Sequence, residues 1–108
     1  MTRFHASELS GIIPPMITPL GSTGAVDAVQ VHDHVEFLLE AGVHGIFVVG
    51  STGEAVYLDA DQRMSVISAT AEAVAGRVPV LAGAIEMTSG RALATPGTLA
   101  NSARTFWW

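Results

Sequence analysis

Apolar residues along this chain alternate between short continuous runs and stretches with helical spacing. The first run, Gly11-Ile12-Ile13-Pro14-Pro15-Met16-Ile17-Thr18, is β-branched and predicts a strand. Its two prolines cannot donate to a ladder, so the middle should be irregular or edge-like. Pro19 and Gly21-Ser22-Thr23-Gly24 form a loop. From Asp27 to about Ala41, Val31, Val35, Leu38 and Leu39 fall three and four apart, which predicts a helix stopped by Gly42. Val43 to Val49 is a continuous apolar run broken only by His44 and Gly45, as in a strand covered on both faces. Asp59 and Gln62 have capping-box spacing, and Met64, Ile67, Ala71 and Val74 continue at helical spacing to Gly76. Val78-Pro79-Val80-Leu81-Ala82 is a third short strand that ends at Gly83. The order is β-α-β-α-β. Each crossover is long enough for a parallel connection, so the three strands should lie side by side in an α/β fold. Pattern alone does not separate a doubly wound sheet from the opening of a (β/α)₈ barrel. At 108 residues a barrel would be incomplete, because a whole one needs about 250.

Candidate chemistry sits at Gly50-Ser51-Thr52-Gly53-Glu54, directly behind the apolar run Gly45 to Val49. Parallel α/β proteins place their sites at such strand ends. Two glycines let the backbone turn sharply, and adjacent hydroxyls and loop amides offer donors to a small anion, a carboxylate or a phosphate. The bland alternative is that the Ser51 and Thr52 hydroxyls cap the next turn.

Composition narrows the partners. Ten acidic residues against five arginines give a net charge of −5, which argues against nucleic acid or an anionic membrane. Cysteine is absent, which excludes disulfides and thiolate chemistry. Met1 to Ser10 does not read as a leader, and no window has the eighteen or so apolar residues of a membrane span, so a cytoplasmic protein is the default. No metal site or cofactor is predicted: His32, Asp33 and His34 lie too close in sequence to share a helix face and read as a solvated surface. His44 reads as a polar strand end, and Met16 and Met64 as core filler.

The runs Ile13 to Leu20, Gly42 to Glu54 and Leu58 to Arg63 resemble, in order and spacing, the N-terminal third of the dihydrodipicolinate synthase/N-acetylneuraminate lyase family, over about residues 11–83. The resemblance implies a truncated (β/α)₈ barrel, residues 1–90 being its opening part. It also implies a class I aldolase or lyase, usually a homotetramer, that joins or releases pyruvate or a similar 2-oxo acid through a lysine Schiff base. On that resemblance Thr52, with Gly53 and neighbouring amides, holds the pyruvate carboxylate. Ser51 also touches substrate and is one hydroxyl of a proton relay completed by tyrosines, while Glu54 is structural. 4-Hydroxy-tetrahydrodipicolinate synthase is the default activity, and the aldehyde partner is left open.

Departures from the family pattern bear on activity. The family's Schiff-base lysine lies in the second half of the barrel, this chain holds no lysine, and arginine does not deprotonate to replace it. Its one tyrosine, Tyr57, does not match the relay tyrosines. Residues 91–108 lack an apolar period, carry the breaker pair Pro96-Gly97 and end in Trp107-Trp108, so they are expected as an irregular or frameshifted tail. Read one nucleotide earlier, the codons of Phe106 to Trp108 force Leu-Val, as a strand would need. Two functional classes remain: an aldolase piece inactive alone, or a non-catalytic partial barrel that oligomerises or binds small anions.

Overall fold

A computed structural model describes residues 5–91, 94 and, as backbone, 105–107. Helix α1 spans Ala28–Glu40, capped by Asp27, whose Oδ1 accepts from the Gln30 N–H at 3.1 Å. Gly42 closes it in the left-handed region, at φ +85°. Helix α2 spans Ala60–Val74 and opens with the predicted capping box: the Gln62 N–H donates to Asp59 Oδ1 at 2.7 Å, and the Asp59 N–H donates to Gln62 Oε1 at 2.8 Å.

Regular pairing occupies only the C-terminal parts of the second and third predicted strands. Strand β1 is Ile46–Val48 and β2 is Val80–Ala82, parallel, with Ile46 opposite Val80 and Val48 opposite Ala82. The Gly83 N–H extends the ladder to the Val48 carbonyl at 2.9 Å. On the other side of β1, the first apolar run keeps the irregular form its prolines predict. Ile12 and Pro14 carbonyls accept from His44 and Phe47, and Met16 returns an N–H to Phe47, all between 2.8 and 3.0 Å. Pro14 has no N–H to give, so pairing there is reduced to an isolated bridge between Pro15 and Phe47. His44 serves this edge as a polar strand end, its Nδ1 accepting from the Ile12 N–H at 3.0 Å.

The far end of the tail contributes a short strand. Thr105–Trp107 form strand β3, parallel to β2, with Val80 opposite Thr105 and Ala82 opposite Trp107. Beyond β1, β2 would present an open row of N–H and C=O groups. Thr, Phe and Trp suit a pleated surface, and the breaker pair upstream does not prevent them from pairing with it. The rest of the tail, including Trp108 and the side chain of Trp107, lies outside the described residues.

Both helices cover one face of the sheet. Ile46, Val48, Val80 and Ala82 point into a core with Met16, Val31, Val35, Val66, Ile67 and Val74. Burying each larger aliphatic side chain contributes roughly 1.5–3 kcal/mol. Thr70 is buried in this core, its hydroxyl donating to the Val66 carbonyl at 2.7 Å. Met16 is core, as expected, but Met64 is 40% exposed. The buried stripe of α2 runs through Val66, Ile67, Thr70, Ala73 and Val74. At about 100° per residue, Met64 falls to its side.

Among the described residues no helix covers the opposite face. Leu9, Ile13, Phe47 and Leu81 line an apolar cavity of about 320 Å³ there. Ile12 and Ile17 are 66% and 52% exposed. Apolar surface and an incomplete sheet edge together favour self-association. Sedimentation velocity is expected to show concentration-dependent oligomers or aggregates, and a dilute monomer with one sharp unfolding transition would refute this.

Across the helix pair, Arg77 at the end of α2 pairs with Glu36 of α1, Nη1 lying 3.3 Å from Oε2 and Nη2 closer still to Oε1. The Arg77 hydrogen bond holds the Glu36 carboxyl below its ordinary range, against a smaller opposing effect of burial. A carboxyl depressed in the folded state stabilises above its unfolded pKa, and that contribution is lost as pH falls through the folded value. Glu36→Gln should therefore be slightly less stable than the parent at neutral pH and equal to it in acid. Paired thermal melts across that range test this; the pair is exposed and the difference small.

Candidate functional site

The loop Gly50 to Glu54 leaves the C-terminal end of β1, where the sequence places it. Its shape begins at Val49, which is fully buried and yet left-handed, at φ +52°. For a β-branched residue that conformation costs on the order of 1–3 kcal/mol and persists only where neighbours dictate it. One such neighbour is Gly83: a Cβ there would stand 2.3 Å from the Val49 carbonyl oxygen, so only glycine fits without displacing the turn. Glu54, at φ +60°, closes the loop. Its N–H donates to the Ser51 carbonyl at 3.0 Å, and the Ala55 N–H donates to the Gly50 carbonyl at 3.3 Å.

Thr18 fixes the loop from the first apolar run. Its buried hydroxyl donates to the carbonyl of Gly53, also buried, at 2.7 Å. This contact ties together segments 35 residues apart in sequence. Sequence reading missed it, because Thr18 looked like the last residue of a strand.

Ser51 and Thr52 are exposed at the tip, while Gly53 is buried beneath them. The capping alternative does not hold: Glu54 is the N-cap of the short 3-10 turn Ala55–Tyr57, and no side chain caps it. Among the described residues no group accepts from the backbone N–H of Ser51, Thr52 or Gly53. Ser51 and Thr52 thus present two exposed hydroxyls beside amides that no described residue accepts from, a donor-rich arrangement suited to a small anion. Tyr57 lies on the 3-10 turn, 82% exposed.

Other candidates go elsewhere. His32 lies on α1 with Nδ1 3.7 Å from Asp33 and Nε2 3.9 Å from Glu36, while His34 stacks on Phe37 at 6.2 Å. Among the described residues no group of three His, Cys, Asp or Glu side chains could hold a metal, and no helix is long and apolar enough to cross a membrane.

The sequence profile of the dihydrodipicolinate synthetase family matches residues 8–102. The chain belongs to that family. The match reaches well past residue 83, where the resemblance read from motifs stopped. Among curated family relatives, the 4-hydroxy-tetrahydrodipicolinate synthase of Methanosphaerula palustris is 45% identical over 76 residues, covering 68% of this chain and 26% of that protein. That of Xanthomonas axonopodis pv. citri is 49% identical over 76 residues, with 70% and 25% covered. The chain thus spans about a quarter of the length of such relatives. Among solved structures, YagE of E. coli K12, a family member in complex with pyruvate, superposes with a TM-score of 0.83 at 28% identity, over 92% of this chain and 34% of that one. The N-acetylneuraminate lyase of Mycoplasma synoviae gives 0.75 at 30% identity, with 89% and 35% covered. The parallel α/β fold described above is the opening part of the family's (β/α)₈ barrel.

Thr18→Val keeps the side-chain shape but leaves the buried Gly53 carbonyl without a donor. It should cost about 1–3 kcal/mol. Urea unfolding is expected to show a lowered midpoint, with Thr18→Ser close to the parent; equal midpoints for Thr18→Val and the parent would remove Thr18 from the site's support.

Proposed function

We propose that this chain carries the carboxylate-holding half of a pyruvate-dependent class I aldolase or lyase site, without the nucleophile that completes it. Thr52, with the amides of Ser51 and Gly53, holds the carboxylate of pyruvate or a similar small 2-oxo acid. Ser51 supplies a relay hydroxyl that has no tyrosine partner in these residues. The observation that carries the reading is the set of unshared amides and exposed hydroxyls at Ser51, Thr52 and Gly53. The family membership and the pyruvate complex of YagE support it.

A Schiff base needs an amine that can lose its proton and attack the keto carbon. The 108 residues hold five arginines and no lysine. The chain alone is therefore an inactive binding fragment, and the activity, 4-hydroxy-tetrahydrodipicolinate synthase by default, belongs to a whole barrel. In that whole protein a cytoplasmic homo-oligomer is the reading we carry over. The open apolar face favours, as second reading, a non-catalytic partial barrel that oligomerises.

Calorimetric titration with pyruvate, followed by borohydride reduction and intact mass, tests both halves. Weak binding that disappears in Thr52→Val, with no covalent adduct, is expected. No heat with the parent chain would reject the carboxylate site, and a pyruvyl adduct, which could form only at the N-terminal amine, would overturn the expectation that the chain presents no reactive amine.

A further inference from the structure

Arg63, on the first turn of α2, reaches between the segments that leave the ends of β1 and β2. Its Nε donates to the Ala55 carbonyl at 3.1 Å, and its Nη1 donates to the Ile85 carbonyl at 3.3 Å and to Glu86 Oε1 at 2.7 Å. The two side chains are only 15% and 12% exposed. Arg91 approaches the second oxygen of Glu86, at 3.5 Å. A guanidinium this far from water is costly unless paired, and Glu86 supplies the pairing.

The placement matters because of what each partner does. Ala55 closes the anion loop through its own N–H to the Gly50 carbonyl. Ile85 and Glu86 follow Gly83, which packs on the left-handed turn at Val49. Among the described residues Arg63 is the one side chain whose hydrogen bonds join these two strand-end segments. A planar fork can serve two carbonyls and a carboxylate at once, which a lysine point charge on its flexible stem cannot do with the same fixed geometry.

We propose that Arg63, locked by Glu86, is a positioning residue for the Gly50 to Glu54 loop: it sets where the loop amides stand relative to the end of β2. It touches no ligand and acts through Ala55. Its effect on pyruvate rests on the reading above, but its effect on the loop does not.

Hydrogen–deuterium exchange by mass spectrometry on the full chain, which tolerates oligomers, reads the loop directly. Peptides covering Glu54 to Leu58 report the hydrogen-bonded amides that close it, and peptides within Val66 to Val74 report α2. Arg63→Gln should raise exchange in the first set by about tenfold, the effect of losing roughly one hydrogen bond's worth of protection, and leave the second unchanged. Arg63→Lys should be intermediate. Glu86→Gln, which keeps both carbonyl contacts, should shift the same way by less, and it carries the test if Arg63→Gln does not fold. Pyruvate binding, where the parent shows it, should weaken about tenfold in Arg63→Gln. Unchanged loop exchange, or an equal rise throughout α2, overturns the proposal. Raised loop exchange in a chain that never binds pyruvate leaves positioning intact and rejects only the ligand.

Discussion

The turn at Val49 is the constraint on which the strand-end architecture depends. A buried β-branched residue in the left-handed region is unfavourable by itself. It is held because β1 must end there: the Val48 carbonyl is taken by the Gly83 N–H, and the Val49 carbonyl lies against Gly83 with no room for a Cβ. Chain direction therefore changes abruptly at the last rung of the ladder. Gly50 to Gly53 leave the end of the sheet, and among the described residues the amides of Ser51, Thr52 and Gly53 find no acceptor. A regular continuation of β1 would instead have spent those donors on its neighbours.

Support for that turn comes from three directions, two of them side chains that donate to loop carbonyls. Thr18 reaches Gly53 from the irregular first run, Gly83 presses on Val49 from β2, and Arg63 holds Ala55 from α2. Helix α2, which carries Arg63, is anchored by its capping box and by the aliphatic core it shares with α1 and the sheet. Packing energy from that core is what offsets the local strain, since a few buried aliphatic side chains at roughly 1.5–3 kcal/mol each exceed it.

Local chemistry made much of this legible in the sequence. Asp59 and Gln62 announced a capping box, Gly42 a helix end, and Pro14 and Pro15 a broken strand, because each effect acts within a few residues. The loop was legible for the same reason, as glycines and hydroxyls following an apolar run. What escaped was set by tertiary contact. Thr18 and Arg63 bond to carbonyls, which every residue possesses, so no sequence pattern marks the partner. Met64 was misplaced because period alone does not say which side of a helix faces the sheet. The strand at Thr105–Trp107 escaped because its partner, the free edge of β2, exists only after folding.

A division of labour follows from where the supports lie. The contacts described at the Gly50 to Glu54 loop come from residues between Met16 and Glu86, within the stretch that matches the family profile. Those residues lie within the quarter or so of the curated relatives' length that this chain spans. On the proposed function, covalent chemistry differs, since a Schiff base requires an amine brought to the keto carbon. On the reading proposed here, binding and bond-making are separable along the chain: the carboxylate is held by a loop that Thr18, β2 and α2 support, and the nucleophile is a separate contribution that none of these 108 residues supplies.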